Sequence, residues 1–162
     1  MNELINIVFL DIDGVLNGLK TKDRCGLFVG IEAAKVLMLK KIVDESNSKI
    51  VLVSSWKEGW YKDLDKKQYQ DELANYLDYK LSVANLEIYD KTKPDSGRRA
   101  KNIKQYIKDL NDKGIFVQKY VILDDEELDY VKENLDEYLV YTDYKIGLQE
   151  YDVEKAINIL KA

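Results

Sequence analysis

Two aspartates two residues apart, Asp11 and Asp13, close the apolar run Ile7-Val8-Phe9-Leu10 and are followed at once by Gly14. Side chains two apart in an extended segment lean the same way. Two anions held together at a strand end repel, which favours a divalent cation or a raised pKa on one of them. Gly14 lets the chain turn away sharply. Asp-Xaa-Asp-Gly also occurs in helix-loop-helix calcium loops, but that register puts Phe9 at the first ligand position and Lys20 at the twelfth, where acidic ligands are required. A solvated turn is the plain alternative, since Asp and Gly are ordinary turn residues.

Two further apolar runs end in the same fashion. Ile50-Val51-Leu52-Val53 leads into Ser54-Ser55, and Tyr120-Val121-Ile122-Leu123 into Asp124-Asp125. If all three are parallel strands, their C-terminal ends share one rim, where open α/β sheets place their ligands. That convergence gathers three carboxylates or more, a hydroxyl, and the Lys/Arg-rich stretch 91–99 around one crevice.

Such a set suits phosphoryl transfer. Hard oxygen ligands suit magnesium, with Asp11, the backbone carbonyl of Asp13, and Asp124 as the protein share. A cation compensates the charge of a carboxylate approaching a phosphate. Asp11 can then attack and form an aspartyl phosphate, while Asp13 protonates the leaving oxygen and later activates water. Ser54 would hold a phosphate oxygen.

Composition narrows the classes. No histidine occurs among the 162 residues, which removes Ser-His-Asp and Cys-His catalysis and His-based zinc sites. The lone cysteine, Cys25, rules out an internal disulfide framework and fits a reducing compartment. Net charge is −5, without the basic balance of a nonspecific nucleic-acid binder. The N-terminus lacks a secretion signal and no apolar run reaches membrane-spanning length, so a cytoplasmic protein with no membrane partner is expected.

Positioning these residues requires alternating strands and helices. Residues 31–45 carry a helical stripe at Ile31, Ala34, Val36, Leu37, Leu39, Ile42 and Val43. Residues 56–79 read as mixed and mostly helical, with Leu73, Tyr76, Leu77 and Tyr69 as the buried side. An extended piece spans 86–89 and a helix 97–111, closed by Gly114, with Ile103, Tyr106, Ile107 and Leu110 inward. Strands at 120–123 and 138–141 and a helix at 153–160 complete the pattern. This predicts a single domain over 1–162: a three-layer, Rossmann-like α/β fold, a parallel sheet with helices on both faces. Residues 18–30, containing Gly18, Gly26 and Gly30, form only a short flap in place of a cap.

Taken in order, Asp-Xaa-Asp after the first strand, Ser after the second, a Lys or Arg, and a final acidic pair resemble the haloacid dehalogenase-like (HAD) superfamily over most of the chain. The resemblance implies a magnesium-dependent phosphomonoester hydrolase, with Asp11 as nucleophile, Asp13 as acid-base, Ser54 and Ser55 at the phosphate, and Asp11, Asp13, Asp124 and Asp125 as the metal site. Dehalogenases of the superfamily lack the second carboxylate, so Asp13 points to phosphatase chemistry. Lys93-Pro94-Asp95-Ser96-Gly97 is similar to the Lys-Pro-Xaa-Xaa-Gly of phosphatase members and favours Lys93 as the phosphate cation. Ser54-Ser55-Trp56-Lys57, the stretch 98–103 and the tail 142–148 resemble small HAD domains associated with RNA repair proteins, which favours Arg99.

An open crevice suits a nucleotide or nucleic-acid end, with other phosphorylated small molecules as alternatives. Trp56, Trp60 and Tyr61 either stack a base at the rim or pack inside. Two rival readings are a phospho-switch of the response-regulator receiver kind, whose motif order differs from this one, and a noncatalytic binding domain that keeps the fold. Oligomeric state is not legible in the sequence.

Overall fold

Along the chain the elements are β1 (Glu3–Leu10), a hairpin of β2 (Arg24–Cys25) and β3 (Phe28–Val29), α1 (Ala33–Ser46), β4 (Ser48–Leu52), α2 (Glu72–Ser82), β5 (Ile88–Lys91), α3 (Arg99–Asp112), β6 (Ile115–Asp124), β7 (Leu139–Tyr141) and α4 (Glu150–Lys161). The computed structural model describes residues 2–94 and 97–162; Asp95 and Ser96 of the expected Lys-Pro-Xaa-Xaa-Gly loop lie outside them.

Strand β1 is apolar on both faces because both are covered. Ile5, Ile7 and Phe9 pack into one core layer, Val8 and Leu10 into the other. A strand at the centre of a parallel sheet needs such a continuous run. The sheet has the order β5-β4-β1-β6-β7, and every pairing in it is parallel. Helices α1, α2 and α4 supply one layer through Val36, Leu39, Ile42, Ala74, Leu77, Leu81, Val153, Ala156 and Leu160. Helix α3 covers the other face with Ala100, Ile103, Tyr106 and Leu110, joined by Tyr130 and Leu135. This is the Rossmann-like three-layer arrangement the alternation predicts.

Several local expectations are corrected. The inward side of α1 is Lys35, Val36, Leu39, Ile42 and Ser46, whereas Ala34 and Leu37 face solvent. Lys35 takes an inward place because its stem packs while its Nζ donates to the carbonyl of Leu148 at 2.6 Å. Residues 56–79 are not one helix: 3₁₀ turns at Ser55–Gly59 and Leu64–Tyr69 precede α2, and Tyr69 is exposed. Strand β5 starts at Ile88, not 86, since the Leu86 N–H is spent on the carbonyl of Leu81 to close α2, with Asn85 left-handed at φ 58°. Strand β6 begins five residues before the predicted Tyr120, at Ile115, by pairing with the start of β1 across a bulge at Ile5/Asn6. The flap at 18–30 is a small hairpin, not a plain loop.

Among the described residues, no helix is long and apolar enough to cross a membrane.

Candidate active site

Strand parity decides which acids meet. Asp11 continues the alternation of Ile7 and Phe9, and Asp124 that of Ile122, so both belong to the face that α3 covers. Leu10 is paired with Leu123, and the Asp11 N–H donates to the Leu123 carbonyl at 2.9 Å. The two aspartates therefore leave adjacent strands side by side.

Their repulsion is answered from the first residue of α3. One nitrogen of Arg99, Nη1, lies 2.8 Å from Asp124 Oδ2 and 3.2 Å from Asp11 Oδ1. Burial works against the guanidinium charge, but the two carboxylates outweigh it and hold the Arg99 pKa above its usual value. The start of α3 is itself pinned: Asp129 accepts from the backbone N–H groups of Ala100 (2.9 Å) and Lys101 (3.2 Å). These are free donors at a helix N-terminus, and a carboxylate there also complements the helix dipole.

Asp124 is fully buried and richly held. Its Oδ2 accepts from the Tyr130 hydroxyl at 2.7 Å as well as from Arg99, and its Oδ1 accepts from the Glu126 N–H at 3.1 Å. Burial first, and the nearby Asp124 charge second, push the Tyr130 phenol pKa far up, so it remains a donor.

Asp125 enters through Gly14. With φ at +80°, Gly14 adopts a left-handed conformation, and a Cβ at this position would overlap the Asp125 carboxyl group. Only glycine satisfies both demands. One oxygen from each of Asp11, Asp124 and Asp125 lies within 4.8 Å of the others. Burial pushes the Asp11 carboxyl well above the ordinary carboxylate range, Asp124 adds to this, and Arg99 offsets part of it. Asp125 is raised by burial too, with its hydrogen bond to Asp11 working the other way. Hard oxygens crowded against mutual repulsion are a donor set that fits a divalent cation such as magnesium.

The Asp13 carboxylate stands apart from that cluster. It accepts from the Trp56 indole Nε1 at 3.1 Å and from the Asn17 amide at 3.0 Å, and it is exposed. Asn17 also accepts from the Gly14 N–H at 2.9 Å and donates to the Gly30 carbonyl at 2.9 Å, tying the turn to the base of the flap. Just past β7, the Thr142 hydroxyl donates to the Gly14 carbonyl at 2.6 Å.

Ser54, two residues past the end of β4, is buried, its hydroxyl accepting from the Trp56 N–H at 3.2 Å as the cap of the 3₁₀ turn that follows. Ser55, Lys57, Gly97, Arg99 and Glu126 line a cleft of about 110 Å³. Of the two candidate cations, Arg99 is ion-paired to the acids and Lys93 is solvent-exposed. The Lys93 carbonyl accepts from Lys57 Nζ (2.9 Å) and from the Asn102 amide (3.0 Å), so Lys57, itself buried, ties the loop after β5 to the loop after β4.

Trp56 and Trp60 are 5% and 2% exposed, and their indole N–H groups are used on Asp13 and Asp78, so packing prevails over an exposed stacking platform. Sequence reading missed Tyr130, Asp129 and Asn17. Asp129 and Tyr130 lie in the acidic stretch after β6 with no motif to mark them; Asn17 stands four residues beyond Asp13 and was legible only as a turn residue.

A family model described as the HAD domain in Swiss Army Knife RNA repair proteins covers residues 7–153. No curated protein and no solved structure matches the chain.

Proposed function

The chain belongs to the HAD domain family of Swiss Army Knife RNA repair proteins, and from that membership and its acidic rim we propose that residues 1–162 form one catalytic domain hydrolysing phosphomonoesters. The observation that carries the reading is the placement of Asp11 beside Asp124 and Asp125 with Arg99 against them. An Asp11 oxygen attacks phosphorus, and the bond to the leaving oxygen breaks as Asp13 gives that oxygen its proton. Asp13, now ionised, takes a proton from water as the water oxygen bonds phosphorus and the Asp11–phosphorus bond breaks. The phosphate returns to solution and both carboxyl groups to their starting forms.

Asp11, Asp124 and Asp125, with the backbone carbonyl of Asp13, would hold magnesium, which supplies charge neutralisation for the phosphate and the attacking carboxylate. Arg99 provides the fixed cation, and Ser54, Ser55 and Lys93 the remaining phosphate contacts. The family's setting in RNA repair, the exposed Asp13 and the short flap favour a bulky substrate, a phosphorylated RNA end.

The test is phosphate release from oligoribonucleotides phosphorylated at either the 5′ or the 3′ end, compared with free nucleotides and sugar phosphates, with magnesium and with chelator. Release from one class of RNA end, lost in Asp11→Asn, is the expected result. Undiminished magnesium-dependent release by Asp11→Asn would overturn the nucleophile, and release from sugar phosphates alone would overturn the RNA end.

A further inference from the structure

The Asp13 carboxylate is held by groups outside the acidic cluster. Both oxygens of Asp13 are engaged, Oδ2 by the Trp56 indole and Oδ1 by the Asn17 amide. An exposed carboxylate on a turn is ordinarily free to rotate about its terminal torsion, which is broad. Here a donor on each oxygen fixes its plane.

The donors are themselves rigid. Trp56 is buried, tilted against the Tyr76 ring at 6.4 Å between centroids, and its backbone N–H is bound to Ser54. Asn17 is buried and makes three hydrogen bonds, to Asp13, the Gly14 N–H and the Gly30 carbonyl. Tyr76 in turn accepts from the Ile31 N–H at 3.0 Å, one residue past Gly30. The plane of Asp13 is thus referenced to the core of the α2 layer and to the base of the flap, not to the acidic cluster.

Resting on the proposed role of Asp13, we infer that Trp56 is a positioning residue for proton transfer, with Asn17 as its counterpart. The indole N–H holds one carboxyl oxygen so that the Asp13 proton is presented to the leaving oxygen of the substrate. A proton donor must meet its partner within hydrogen-bond reach, so rotation of the carboxyl group costs rate without costing phosphate binding.

Leaving-group dependence isolates this role. The phenolate of 2,4-dinitrophenyl phosphate departs without protonation, whereas a phosphorylated RNA end releases a ribose alkoxide that needs the proton. Trp56→Phe keeps a ring and deletes the N–H. It is expected to lower kcat/KM, which reports the step that expels the leaving group, about tenfold more for the RNA end than for the dinitrophenyl ester, a fraction of the roughly hundredfold or greater contribution of a general acid. Asn17→Ala should show the same bias. Equal losses on both esters, or no loss on either, would overturn the positioning role. Asp13→Asn serves as reference: if it shows no such bias, the acid-base role of Asp13 falls and this inference with it, whereas bias in Asp13→Asn alone sinks only the inference.

Should Trp56→Phe not fold, the indole resonance reports directly. The chain has two tryptophans, and Trp60 donates to Asp78 instead. Asp13→Ala should move the Trp56 indole N–H signal and leave that of Trp60 in place; a spectrum with neither signal moved would overturn the contact.

Discussion

Asp11 and Asp124 leave neighbouring parallel strands side by side, and one nitrogen of Arg99 stands 3.2 Å from the first and 2.8 Å from the second. Like charges opposite one another on a sheet destabilise it. The fold tolerates this pair because the cation arrives from the capped start of α3, a separate element brought to the rim by the crossover from β5 to β6.

Arg99→Ala should therefore cost the metal-free protein about 3 kcal/mol or more, the usual result of leaving a buried charge uncompensated. Urea unfolding with and without magnesium chloride checks it. The loss should shrink when the metal is present, since a second cation then faces the same acids, and an equal loss in both conditions would contradict the assignment.

Gly14→Ala presses a methyl group onto the Asp125 carboxylate and forces an L side chain into a left-handed conformation. Roughly 1–2 kcal/mol of strain is expected, together with about a tenfold weaker apparent magnesium affinity if Asp125 supports the metal site. A magnesium titration of phosphate release, beside a thermal melt, separates the two effects.

Asp129→Ala removes the acceptor for the first free N–H groups of α3 and should cost about 1 kcal/mol. Because Arg99 opens that helix, KM for the phosphorylated substrate should rise as well. Loss of stability with KM unmoved would show that the cap does not place Arg99.

Stability should couple pH to metal. Asp11 is held above the ordinary carboxylate range by burial first and Asp124 second. The folded, metal-free state therefore keeps a proton that the unfolded chain releases. Its contribution is full below the unfolded value of about 4 and is lost as pH rises through the raised one. A divalent cation competes with that proton, so the gain in melting midpoint on adding magnesium should be larger near pH 8 than near pH 5. Equal gains would argue that Asp11 is not a ligand.

Much of this is legible in the sequence. The run before Asp11, the hydroxyls after Val53 and the acids after Leu123 each mark a strand end, because a buried strand needs uninterrupted apolar residues and stops where polar ones begin. The apolar stripe of α3 and the closing helix at 153–160 were readable from burial as well. The stripe of α1 misled at Leu37, where Lys35 took the inward place by finding a carbonyl 113 residues away for its ammonium group. The pieces at 56–71 misled because 3₁₀ turns carry no 3.6-residue period. Asp13 was nameable as an acid, but its Trp56 partner was not, since an indole 43 residues away leaves no mark near it in sequence.

Local order along the chain determined the central strands, most of the helices, and which acids follow β1 and end β6, since burial periodicity is a property of neighbouring residues. Only the tertiary structure decided that Arg99 and not Lys93 meets those acids, that Tyr130 holds Asp124, and that the Trp56 indole donates to Asp13. Those pairings depend on strand parity, register and crossover, which bring together groups that the linear chain keeps far apart.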